Sequence, residues 1–173
     1  MSSEDQTASP AKLRVGLAGL AVSQDPAASL CTSPLGACLG VAIYDPTVKV
    51  GGLLHSLLPD SSLDPIRAAN HPGLFLDTGI AALLERAGQL KATRENLRVF
   101  VAGAAEIMDE TTQINIGKFN SDYLAQLLLR LGLTVYAQAL GGRTSCSMEL
   151  NLASGAVQVR FCGQSTPKTL CRP

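Results

Sequence analysis

The stretch that most constrains this chain is residues 37–58, "ACLGVAIYDPTVKVGGLLHSLL". Two apolar runs, ACLGVAIY and VGGLLHSLL, flank DPTVK, whose Asp-Pro pair is a turn signal, so the stretch reads as a buried β-hairpin. With Asp45 to Val48 as the turn, Tyr44 lies opposite Lys49 and Cys38 falls opposite His55. Directly paired residues of an antiparallel ladder share one face, with Cβ atoms about 4.5–5.5 Å apart. A turn changed by two residues leaves the pair as diagonal neighbours, whereas an odd change sends them to opposite faces.

Around this hairpin the chain reads as a single domain, residues 12–162, between an N-terminal tail (1–11) and a flexible C-terminal tail (163–173). "LRVGLAGLAV" (13–22) has strand composition weakened by its glycines, and "LDPIRAANHPG" (63–73) is a loop with two prolines. In "LFLDTGIAALLERAG", Ile80, Leu83, Leu84 and Ala87 recur at helical spacing and Gly88 is a stop signal. "LRVFVA" (97–102) reads as a buried strand. "NSDYLAQLLLRLG" is a helix with Asn120 or Ser121 as its cap and a stripe of Leu124, Leu127, Leu128 and Leu131. "LTVYAQAL" is a further strand, and "SMELNLASGAVQVRF" a second hairpin. The order implies an α/β (α+β) domain whose mixed β-sheet layers and hairpins are covered by helices.

Several function classes drop out. Fourteen basic and fourteen acidic residues cancel, and no basic stripe is present, so nucleic-acid binding has no electrostatic footprint. The longest apolar run, Leu35 to Tyr44, is far short of the roughly 18–20 residues of a membrane span. The acidic, polar start "MSSEDQTASPAK" is unlike a signal peptide, and a cytoplasmic protein without membrane insertion is expected. Five cysteines, Cys31, Cys38, Cys146, Cys162 and Cys171, include no C-x-x-C pair, which argues against structural zinc.

Two readings of Cys38 and His55 stand at this point. In one, a buried hairpin holds an inert thiol and a hydrogen-bonded histidine. In the other, the imidazole activates the thiol as a nucleophile, since a neighbouring imidazolium depresses a thiol pKa by several units. Amides of the Gly36–Ala37–Cys38 segment could then face a developing oxyanion. Thr32, six residues before Cys38, is the nearest candidate to orient the ring, although Pro34 prevents its position from being derived.

The same stretch resembles the CheD family of bacterial chemoreceptor glutamine deamidases. The resemblance rests on Thr32, Gly36, Cys38, Tyr44-Asp45-Pro46, Gly51-Gly52, His55 and Leu58-Pro59. Downstream, Phe75-Leu76-Asp77-Thr78, Ala102-Gly103-Ala104, "NIGKFN" (115–120), Gly141-Gly142 and the final hairpin follow in the family's order. This chain departs from the family at Ala37, often Ser, and at Ala102, usually Gly. It also has Thr144 and Cys146 where an Arg-x-Arg pattern follows Arg143.

The resemblance implies hydrolysis of glutamine side chains to glutamate by a Cys38–His55–Thr32 triad through a thioester, with Gly36 and Ala37 amides at the oxyanion. It implies no metal and no cofactor, methyl-accepting chemoreceptors as substrates and a CheC-type phosphatase as a partner. Two alternatives accompany it. One is an adaptor that keeps the fold and binds receptors or the phosphatase with little or no catalysis. The other is a cysteine amidase acting on a different protein or a small amide.

Overall fold

A computed structural model describes residues 11–106 and 115–171, apart from the side chain of Cys171. The N-terminal residues 1–10 of the expected tail lie outside the described residues. Two five-stranded sheets pack face to face. One has the order β1 (Ala11–Val15), β3 (Ala28–Thr32), β8 (Cys146–Asn151), β9 (Val157–Phe161), β10 (Lys168–Cys171). The other has the order β2 (Leu20–Ser23), β5 (Val50–Ser56), β4 (Leu39–Asp45), β6 (Arg98–Gly103), β7 (Val135–Leu140). The β1–β3 and β6–β7 pairs are parallel and the rest antiparallel, so both sheets are mixed. Helices α2 (Leu76–Gln89) and α3 (Ile116–Arg130) cover the outer face of the second sheet, and α1 (Pro65–Asn70) is a short helix capped by Asp64.

The hairpin is the middle layer, and its alternating side chains build two cores. Leu39, Val41, Ile43, Val50 and Leu54 pack with Leu76, Ile80 and Leu83 of α2 and Leu124, Leu127 and Leu128 of α3. Ala42, Tyr44 and Leu53 face the other way and pack on Leu30, Met148, Leu150 and Val159 of the first sheet. Each such large side chain contributes about 1.5–3 kcal/mol on burial, which makes this two-sided hairpin the main source of cohesion. Gly51 and Gly52 let the layers close: a Cβ at Gly51 would stand 2.3 Å from Leu152, and one at Gly52 2.9 Å from Leu83.

Several elements differ from the sequence reading. "LRVGLAGLAV" splits at its glycines into β1 and β2, one in each sheet, with Ala18 at φ +59° in the connecting turn. The loop with two prolines holds α1, whose Arg67 amide bonds the Asp64 carboxylate at 3.0 Å. Strand β3 was not expected, and within the expected C-terminal tail Lys168–Cys171 forms β10 on β9. α3 begins at Ile116, because Asn115 accepts the Lys118 amide at 2.8 Å and so supplies the cap assigned to Asn120 or Ser121.

Asp45 anchors the turn. Its buried carboxylate accepts the Thr47 amide (2.9 Å), the Thr47 hydroxyl (2.6 Å) and the Thr93 amide (3.0 Å). Burial alone would raise its pKa, but these bonds outweigh burial and hold it below the ordinary 3.8. A carboxylate with a depressed folded pKa contributes stability above its unfolded pKa, and that contribution is lost as pH falls through the folded value. Asp45→Asn should therefore lower stability at pH 7 by about 2–3 kcal/mol in chemical denaturation. Its deficit relative to the wild type should shrink as the pH falls below 3.8; a deficit independent of pH would contradict this account.

Candidate active site

Asp45 also sets the hairpin register. Held in the strand by its own hydrogen bonds, it pairs with Val50, so the turn occupies Pro46 to Lys49 rather than Asp45 to Val48, with Lys49 at φ +53°. The Cα partner of His55 is consequently Gly40, and Cys38 lies two residues further along. A displacement by two keeps both on the face toward the first sheet, as diagonal rather than direct neighbours.

Cys38 sits in the bend that leads into β4, half-buried against the core between the sheets. The bend is fastened through its carbonyls. That of Leu35 accepts the Cys146 amide (3.0 Å), that of Gly36 the Ala105 amide (2.9 Å) and that of Cys38 the Ala104 amide (2.8 Å). The Ala37 carbonyl accepts Nδ2 of Asn120 at 3.1 Å. In a trans peptide the N–H points away from the carbonyl of the same unit. Fixing the carbonyls of Leu35 and Ala37 therefore commits the amides of Gly36 and Cys38 to the opposite side, and the backbone of both residues pulls the Cys38 thiol pKa down. Gly103 makes this approach possible: it has φ +109°, and a Cβ there would stand 2.3 Å from the Cys38 carbonyl oxygen.

His55 is 2% exposed, and its backbone amide bonds the Gly19 carbonyl at 2.9 Å. Its Nδ1 lies 3.2 Å from the Ser33 hydroxyl, while Nε2 is buried without a hydrogen-bond partner among the described residues. Burial lowers the His55 pKa below 6.5, against an opposing pull from the Val15 backbone. Burial likewise pushes the Cys38 thiol above 9.0, opposed by the amides of Cys38 and Gly36. The expected influence of an imidazolium on the thiol is thus absent: at neutral pH Cys38 is a thiol and His55 an uncharged imidazole. No hydrogen bond joins the two among the described residues.

Thr32 is buried at the end of β3, and its Oγ1 accepts the Met148 amide at 3.0 Å. The hydroxyl hydrogen-bonded to the ring belongs to the next residue, Ser33, which the sequence reading missed. The only signal for it was the adjacent hydroxyl pair in "CTSP". Asn120 was missed as well. It is 1% exposed, and its Nδ2 also donates to the Leu57 carbonyl at 3.0 Å, tying the cysteine bend to the segment after His55. Leu57, with Leu17, Ala18, Arg67, His71 and Leu74, lines a surface recess of about 580 Å³ beside these groups.

Among the other thiols, Cys146 lies behind Leu35, and burial pushes its pKa up to about 11. Cys31 is half-buried, with Sγ 3.7 Å from the Leu13 carbonyl, and Cys162 is exposed. No group of three or more His, Cys, Asp or Glu among the described residues could hold a metal ion.

The chain is similar in sequence to known proteins. The family described as CheD chemotactic sensory transduction matches residues 57–161, more than half of the chain. A relative from Solibacter usitatus, named "Probable chemoreceptor glutamine deamidase CheD", is 38% identical over 150 residues, covering 87% of this chain and 89% of its own. One of the same name from Desulforamulus reducens is 38% identical over 156 residues, covering 88% and 92%. The chain belongs to the CheD family. An alignment of 150 residues leaves out at most 23 of the 173, so it spans Thr32, Cys38 and His55. Among solved structures, a hypothetical protein YfiH of Bacillus licheniformis aligns with a TM-score of 0.42 and 12% identity, over 71% of this chain and 49% of its own.

The placement of Asn120 can be tested by an almost isosteric change. Asn120→Asp removes both donors and sets a negative charge against two carbonyls, which should lower stability by about 3 kcal/mol or more at pH 7. A carboxyl destabilised in its charged form has a raised folded pKa, so the variant should regain stability as it is acidified and its proton replaces a lost donor. Equal stability of Asn120→Asp and wild type at pH 7 in a denaturant titration would contradict the assignment.

Proposed function

We propose that this protein is a cysteine-dependent deamidase that converts glutamine side chains of chemoreceptors to glutamate, without metal or cofactor. The observation that carries this reading is the fastened bend that holds Cys38 on the same hairpin face as a buried His55, with backbone at Gly36 and Cys38 that favours a thiolate. The names of the relatives supply the reaction and the receptor substrate.

In the proposed sequence, His55 takes the proton of Cys38 as the sulfur attacks the glutamine carboxamide carbon. A C–S bond forms, the C=O π pair moves to oxygen, and the Gly36 and Cys38 amides, with that of Ala37 beside them, stabilise the oxyanion. The tetrahedral intermediate collapses, the C–N bond breaks, and the imidazolium donates its proton to the leaving ammonia. Water then gives a proton to His55 and attacks the thioester; the C–S bond breaks, leaving glutamate and the restored thiol. Thr32, bonded to Met148, holds the end of β3 in place next to Ser33. Asparagine should react poorly, because one methylene fewer withdraws the reacting carbon from the sulfur.

A CheC-type phosphatase as a docking partner and a cytoplasmic location belong to the same proposal. No helix among the described residues is long and apolar enough to cross a membrane. The adaptor reading is favoured by one observation, the thiol held above 9.0 by burial.

Ammonia release from a glutamine-bearing receptor fragment, with Glu identified by mass spectrometry, distinguishes the two readings. The wild type should convert glutamine and Cys38→Ala should lose at least about a thousandfold. Binding of the fragment by the wild type without conversion would favour the adaptor. The acid limb of kcat/KM should have its midpoint below pH 6.5, because His55 must be unprotonated and burial lowers its pKa. A midpoint above 6.5 would exclude this buried neutral base.

A further inference from the structure

We infer that Ser33 is the positioning residue for His55 in this chain: its hydroxyl accepts a hydrogen bond from Nδ1–H and leaves the lone pair of Nε2 to take the Cys38 proton. This extends the reading of Cys38 and His55 as a nucleophile–base pair and rests on it. The distance from Ser33 Oγ to His55 Nδ1 is 3.2 Å. Ser33 is itself held, because its amide donates to the Val15 carbonyl at 3.2 Å. The residue before it is fixed on the other side, where Thr32 Oγ1 accepts the Met148 amide at 3.0 Å. The end of β3 is thereby clamped between β1 and β8, and the Ser33 hydroxyl is presented to the ring from a fixed backbone.

The division of labour follows from these contacts. The Thr32 oxygen serves the junction of β3 and β8, while the Ser33 oxygen serves the imidazole. A neutral imidazole carries one N–H, and the partner of one nitrogen decides which nitrogen is basic. Nε2 is buried and takes no other hydrogen bond among the described residues, so no protein group competes with the thiol for its lone pair.

The test combines Ser33→Ala, Ser33→Thr and Thr32→Val, with folding checked by thermal melting. Deamidation kinetics with a receptor fragment are measured beside the rate of Cys38 alkylation by iodoacetamide, read by peptide mapping across pH 5–10. Ser33→Ala should lower kcat roughly 10–100-fold, the loss typical when the outer partner of an imidazole is removed, with KM within about twofold. Its alkylation profile should lose the inflection caused by His55, and Ser33→Thr should restore both. Unchanged kcat and an unchanged alkylation profile in Ser33→Ala, or a loss confined to Thr32→Val, would overturn the inference.

The alkylation arm needs no substrate. If the wild type proves not to be a deamidase, a changed profile in Ser33→Ala still supports the positioning role, and an identical one overturns it. The ring ¹⁵N spectrum of wild-type His55 gives a reading that no folding defect can confuse: an Nδ1–H tautomer is expected, and an Nε2–H tautomer would overturn the assignment.

Discussion

The site depends on four consecutive peptides, from Leu35 to Leu39, that cannot turn over. Each carbonyl is held by a donor from another element: Cys146 at the start of β8, Ala105 and Ala104 after β6, and the side chain of Asn120 on α3. A free loop of this composition would hydrate its amides and let the thiol rotate. Fastened from three directions, its backbone keeps one orientation, the kind of preorganisation on which electrostatic stabilisation depends. The strain that permits it is local, at Gly103 with φ +109° and Ala104 with φ +54°.

The three-layer architecture explains why these donors converge. The central hairpin is apolar on both faces, so it must be covered twice, by the first sheet on one side and by α2 and α3 on the other. The start of β4 therefore lies where both covers meet, with β8 in front, α3 behind and the end of β6 alongside. Polar groups placed there are shielded from water. The same shielding favours the uncharged form of both groups: it lowers the pKa of His55 and raises that of Cys38. Glycine and alanine at the crowded positions allow the layers to approach closely enough for this.

Much of the fold was legible because it is written in local pattern. The two hairpins, both long helices and the strand at 97–102 follow from periodicity and turn chemistry. The split of residues 13–22 between two sheets was not legible, since strand composition says nothing about which sheet a strand joins. β3 and β10 were hidden for a related reason: "ASLCT" and "KTLC" lack clear alternation and take their conformation from the partners they pair with. The register was misplaced because Asp45 looks like a turn residue, and only its buried partners Thr47 and Thr93 keep it in the strand. At the site, Cys38 and His55 were visible as a spaced pair on one face. Ser33 and Asn120 were not, because a hydroxyl beside a proline and an asparagine inside a helix carry no periodic signal. Their roles come from contacts 22 and 83 residues away along the chain.

The central claim is that Cys38 forms a covalent thioester within this fastened bend. Rapid acid quenching of the protein with a glutamine-bearing receptor fragment, followed by peptide mapping, reads it directly. The account predicts an adduct on the Cys38 peptide equal in mass to the fragment less ammonia, formed before glutamate accumulates and absent from Cys38→Ala. Glutamate production at the wild-type rate by Cys38→Ala, with no adduct on the wild type at any time, would contradict it.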